Sequence, residues 1–269
     1  MVYPVLRRAL LAAPLFFAAP LLTVARGAGA APPKPGVRQV IAALNGSRPA
    51  NLSGWDLSRL DLADIDLSGA NLAGATLFGA DLTDAKFVGS DLRGATLDRA
   101  IIIRTDFTDA IMAGATMFLP AASTHLGANP PEEAPIFRRA NLTGGHFLAK
   151  LGHGDWTGAI LTDAHFELGR TEFLAALRSD LSGCRFAGAT LQGANLQGIN
   201  LAFADLRGVN LMHTNLRGTD LSGARLDGAN VTGASLARAD VHGASLRGVI
   251  GLTQAEGVED IRNLQWAER

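Results

Sequence analysis

The residues of this 269-residue chain best equipped for chemistry are its aspartates, its six histidines and its single cysteine. Asp56, Asp61 and Asp66, and again Asp220 and Asp240, stand at multiples of five and invite comparison with the paired carboxylates of glycoside hydrolysis. That chemistry requires a cleft and an acid whose proton affinity its surroundings have raised. Neither is readable here, because Asp or Asn recurs at the same place in most segments and belongs to the motif. His146 and His165 form a partial metal site at best, since zinc takes three or four ligands and His153 and Asp155 belong to a different segment. No phosphate-cradling glycine loop, nucleophile elbow or zinc-protease motif is present. The residues predict a protein that is not an enzyme and takes no metal or cofactor. Cys184, alone, cannot form an intramolecular disulfide and is expected in the core.

These side chains are positioned by a five-residue beat, shown by ANLAGATLFGADLTDA at residues 70–85. A large apolar residue recurs at Leu52, Leu57, Leu62 and every fifth position to Met117, again at Phe137, Leu142 and Phe147, and from Leu151 to Phe166 after one deleted residue. It runs unbroken once more from Leu181 to Leu246. A small residue such as Ala70 or Ala75 sits two positions before most beats. Residues two apart on an extended segment point to one side, so each pentapeptide is a short wall with its core face built in. The last two positions, rich in Gly, Asp, Ser and Arg, suit a tight corner.

The repeating units ANLAG, ADLTD, SDLRG, ANLQG, ADLRG and TDLSG make the chain resemble the pentapeptide-repeat proteins over roughly residues 50–250. The resemblance implies an all-β solenoid, a right-handed quadrilateral parallel β-helix with four walls per coil. Counting twenty residues per coil gives about ten coils, a rod roughly 48 Å long at one strand spacing per coil. Short helical caps are expected at both ends, because an open solenoid leaves backbone groups unpaired. VRQVIAALNG (37–46) has helical apolar spacing within a linker and cap at 31–49, and Thr253 and Glu256 have capping-box spacing before Val258, Ile261 and Leu264 in a cap at 251–269. Trp266 is expected to seal the last coil.

Separations of 20, 40, 19 and 20 residues, whole coils but for one deletion, place Phe87, Phe107, Phe147, Phe166 and Phe186 in one structural stack. The outward residues beside them predict a surface ladder of Asp66, Lys86, Asp106, His146, His165, Arg185, Asp205 and Arg225. Residues 118–136, FLPAASTHLGANPPEEAPI, read as an irregular insertion equal to one coil between Met117 and Phe137, while 167–180 breaks the motif but keeps the wall count. Ile101, Ile103 and Ile111 occupy positions that are normally polar, and the insertion follows them. With His125, Glu132 and Glu133 of the insertion they make the candidate interaction surface: either the insertion covers the isoleucines or they bind a partner.

Residues 1–30 read as a cleaved export signal: MVYPVLRR is basic, the run from Ala9 to Ala25 is apolar but carries Pro14 and Pro20, and Ala28-Gly29-Ala30 fits a cleavage site. The expected location is periplasmic or secreted, with no stable membrane insertion after cleavage. Losing the signal takes 24 Lys and Arg to 21, against 25 acids, so nucleic acid is not an expected partner. The expected function is a non-enzymatic scaffold that binds an unidentified protein or envelope macromolecule, with a homodimer also open. Two alternatives stand beside it: a β-helix carbohydrate-active enzyme, and, implied by the family resemblance, a DNA mimic that binds topoisomerases. Mimicry would have to use residues 50–118, with ten Asp and five Lys or Arg, because 179–248 holds five Asp and six Arg.

Overall fold

A computed structural model describes residues 35–46, 48–125, 130–166 and 178–269. The chain divides into Met1–Ala31 and Pro32–Arg269. The first unit, with the expected signal, lies outside the described residues, as does most of the segment 167–180.

The beat residues from Leu52 to Val241 that the structure describes are buried, and the small residues two positions earlier are buried with most of them. Between the two, the polar residue makes a parallel bridge to its counterpart one coil away. Four ladders result, one per wall. The first runs Asn51, Asn71, Asp91, Ile111, Asn141, Ile160, Thr190, Asn210, Asn230, Ile250. The second runs Asp56, Thr76, Thr96, Thr116, His146, His165, Asn195, Asn215, Ser235, Glu256, and includes strands β1 (Thr116–Phe118) and β2 (His146–Leu148). The third passes Asp61, Asp81, Ile101 and Ala121, and from Lys150 continues through Asp180, Asn200, Asp220, Asp240 and Arg262. The fourth runs Asp66, Lys86, Asp106, Ile136, Asp155, Arg185, Asp205, Arg225, Ser245, Glu268.

The corners explain the remaining letters of the motif. The carbonyl of a beat residue accepts the N–H three residues on, as in Ala75 N to Leu72 O at 2.9 Å. The residue before that donor is left-handed, with φ 65° at Gly74, the conformation a tight turn of this kind needs at its third position. The Asp or Asn carboxyl or amide oxygen accepts the N–H two residues on: Asp56 from Ser58 at 3.0 Å, Asn71 from Ala73 at 3.0 Å, Asp220 from Ser222 at 2.9 Å. Such side chains favour turns because they satisfy local backbone donors.

The ladders correct the register. Across the insertion one coil has thirty residues, since Thr116 pairs with His146 and Asp106 with Ile136. The second irregular segment does the same, because Asp155 pairs with Arg185 and His165 with Asn195. Each expansion of ten residues shifts the walls by half a coil. Phe147 and Phe166 therefore lie on the second wall, not with Phe87 and Phe107 on the fourth. Two half-coil errors cancel, so Phe186 returns to the fourth wall. The continuous stack is Phe87, Phe107, Phe137, Trp156 and Phe186, with centroid spacings of 5.2, 5.1, 4.1 and 5.8 Å. Phe147 and Phe166 pair separately at 5.1 Å, and Phe166 meets Trp156 edge-on across the core at 6.2 Å.

Helix α1 (Val37–Gly46) forms as its spacing predicts, burying Val40 with Val37 and Leu44 packed on the core, although Ile41 is exposed. The other end differs. Short 3-10 turns at Leu252–Gln254, Val258–Asp260 and Leu264–Trp266 alternate with bridges from Glu256, Arg262 and Glu268 to Ser235, Asp240 and Ser245. The segment is thus a turn of the solenoid built on a six-residue beat, in which Gly251, Gly257 and Asn263 hold the left-handed corners. The i, i+3 spacing of Val258, Ile261 and Leu264 reflects those 3-10 turns, not a capping helix. Trp266 is 63% exposed, beside His242, and does not seal the coil.

Candidate functional site

The isoleucines do not form one patch. Ile101 is on the third wall and Ile111 on the first, and Ile111 is 40% exposed while Ile103 is buried. The far end of the insertion runs beside the next residue, where the Arg104 N–H donates to the Glu133 carbonyl at 3.0 Å.

The irregular excursion is shorter than the sequence implies, because Phe118 ends β1 and Ala121 bridges to Ile101. It begins after the buried Ala122 and ends at Ile136, with residues 126–129 outside the described set. Glu133 ties its two ends together. Its carboxylate accepts the Ser123 hydroxyl at 2.6 Å, the Thr124 N–H at 2.8 Å and the Thr124 hydroxyl at 2.6 Å, and His125 Nδ1 stands 3.4 Å away. The hydrogen bonds from Ser123 and Thr124 hold the Glu133 carboxyl at about 2, well below the usual range. Glu132 is exposed beside it. Of the insertion residues singled out in the sequence, the fold brings His125 to Glu133.

His146 and His165 are stacked neighbours at 4.8 Å, as expected, but on the second wall. Burial and the adjacent His165 lower the proton affinity of His146. Among the described residues no group of three or more His, Cys, Asp or Glu converges as a metal set. Arg185, Asp205 and Arg225 are successive rungs as expected, yet the close ion pairs run elsewhere: Arg185 to Asp155 at 3.0 Å and Asp205 to Arg207 at 2.5 Å. Cys184 is buried, its thiol donating to the Leu151 carbonyl, and burial pushes it up to about 12.

One cluster escaped the sequence reading. Asp155 is 3% exposed and sits between Arg138 and Arg185, whose Nε and Nη2 both reach its Oδ2, while Thr157 N–H and hydroxyl donate to Oδ1. Burial opposes the charge, but hydrogen bonds from Thr157, Arg138 and Arg185 outweigh it and hold the carboxyl at about 2. The thirty-residue coil completes this cluster: the nineteen-residue step from Ile136 to Asp155 sets Arg138 beside Asp155, and the longer coil from Asp155 to Arg185 brings in the second arginine. A strict twenty-residue count hides it.

Four ladders of parallel bridges, a buried beat of five and side-chain-capped corners define a solenoid of pentapeptide walls, and one of its two expanded coils carries a tethered loop. The family model for pentapeptide repeats matches residues 50–84, 77–114, 179–218 and 214–250, in eight copies, and the chain belongs to this family. Members fold as right-handed quadrilateral β-helices. Among solved structures the chain is similar to HetL, a pentapeptide repeat protein involved in heterocyst differentiation regulation from the cyanobacterium Nostoc sp. strain PCC 7120. The identity is 25%, covering 86% of this chain and 96% of that one, with TM-score 0.43. It is also similar to full-length QnrB1, a plasmid-mediated fluoroquinolone resistance protein (16% identity, 70% and 86% covered, TM-score 0.41). A third is Rfr23 from the cyanobacterium Cyanothece 51142 (20% identity, 68% and 90% covered, TM-score 0.20). No curated protein matches the chain.

Proposed function

We propose that the protein is an exported, non-enzymatic scaffold that recognises another macromolecule through the loop between Ala122 and Ile136. The observation that carries this reading is the tether: one coil expands by ten residues here, and a buried glutamate on its far side holds Ser123 and Thr124 on its near side. Binding loops are commonly displayed in this manner on rigid frames. The aspartates once comparable to a hydrolase pair are occupied with their own turn N–H groups, which supports a structural role for them.

Removing ten residues from the loop restores a plain five-residue step from Ala122 to Phe137 and so a coil of twenty. The shortened variant is expected to fold and to lose binding partners recovered from a periplasmic extract; retention of every partner would sink the reading. Export is checked separately by the mature amino terminus, expected near Ala31. A full-length protein in the cytoplasm would instead favour the DNA-mimic reading, which draws on the acidic residues 50–118.

A further inference from the structure

We propose that the groove beside the loop, at Arg138 and Arg185, is a binding site for a small oxyanion, a phosphate or carboxylate group. This goes beyond the scaffold reading and does not depend on it. A cavity of about 290 Å³ lies there, lined among others by Arg104, Glu132, Arg138, His153, Asp155 and Arg185. Its floor is built. Asp155 is nearly inaccessible and fixed by Thr157, and both guanidiniums are anchored to the same oxygen atom of it.

That arrangement leaves binding capacity unused. Each guanidinium carries five N–H donors in a planar fork suited to carboxylate and phosphate. Among the described residues Asp155 is the one carboxylate that pairs with either arginine, so two positive charges share one negative charge. The side chains remain 49% and 59% exposed at the cavity. Arg104 adds no net charge because Asp84 neutralises it with two short hydrogen bonds. Glu132 lines the same cavity and opposes an incoming anion, which supplies an internal test.

The test follows the arginine Nε–H signals of the mature protein by ¹H–¹⁵N spectroscopy during titration with sodium phosphate or succinate, against sodium chloride at equal ionic strength. Saturable shifts at Arg138 and Arg185 with either oxyanion, and not with chloride, are expected; phosphate against succinate then distinguishes the two groups. Arg138→Lys keeps a cation for Asp155 but removes the fork, and is expected to weaken binding about tenfold. Glu132→Gln leaves the Arg–Asp–Arg contact intact and is expected to tighten it about threefold, as loss of a nearby like charge should. Shifts that follow ionic strength alone overturn the proposal. So does wild-type affinity in a folded Arg138→Lys variant, or unchanged or weaker binding in Glu132→Gln.

Discussion

Asp155 and Glu133 both titrate at about 2 in the folded chain, below their ordinary 3.8 and 4.5. A carboxyl depressed by folding stabilises above its unfolded value and loses that contribution as pH falls toward its folded value. The protein is therefore expected to lose stability between roughly pH 4.5 and 2. Asp155→Asn should flatten the acid limb of melting temperature against pH; an unchanged limb would remove Asp155 from the account. Two glycines separate conformational from steric cost. Gly74 has φ 65° and nothing within 4 Å of an added Cβ, so Gly74→Ala should cost about 1 kcal/mol, the backbone term alone. At Gly145 the new atom would meet the buried Phe147 ring at 2.4 Å. Gly145→Ala should cost more, about 1 to 3 kcal/mol for overpacking. Equal losses in urea unfolding would contradict the distinction. In the sequence, Gly145 and Gly154 were visible departures from Ala, but their reason, the rings of Phe147 and Trp156, needed the packed core.

Among the elements, the stack from Phe87 to Phe186 is the longest run of aromatic rings in the described core. Trp156 is its fourth member, buried between Phe137 and Phe186, with an indole N–H that has no oxygen or nitrogen acceptor among the described residues and stands beside the Cys184 thiol, a weak acceptor. Trp156→Ala should cost about 3 to 5 kcal/mol through the cavity it leaves. Trp156→Phe keeps a ring in contact with Phe137 and Phe186 and deletes a donor with no oxygen or nitrogen acceptor, so its cost should stay below about 1.5 kcal/mol, the ordinary range for a conservative apolar exchange. Denaturant midpoints for the two variants check this, and similar losses would mean that the N–H is satisfied or the ring poorly packed. The walls themselves were legible because burial and polarity alternate within five residues. Loop boundaries were not, because Ala121 and Ala122 form a wall without a large beat residue, and a coil tolerates extra residues at a corner without altering its rungs. The loop's tether was also hidden, since Glu133 reads like any loop glutamate until Ser123 and Thr124 are folded against it.

At the scale of the whole molecule, the repeat predicted walls, core face and corner positions over most of the chain. It misplaced what depends on counting across interruptions, the Phe147 and Phe166 wall and the His pair's ladder, and it hid the approach of Arg185 to Asp155. The six-residue beat of the C-terminal turn was present as Gly251, Gly257 and Asn263, but a helical reading of its apolar residues masked it. The ladder hydrogen bonds lie along the rod, and this gives the unequal coils a mechanical consequence. A pull on handles at residues 50 and 250 loads those bonds end-on, so the rod should open coil by coil from its ends. A twenty-residue coil releases about 65 Å of chain beyond its own rise and a thirty-residue coil about 100 Å, from the reach of an extended residue. A force-extension trace should accordingly show short, regular steps together with two longer ones, and deleting ten residues between Ala122 and Phe137 should convert one long step into a short one.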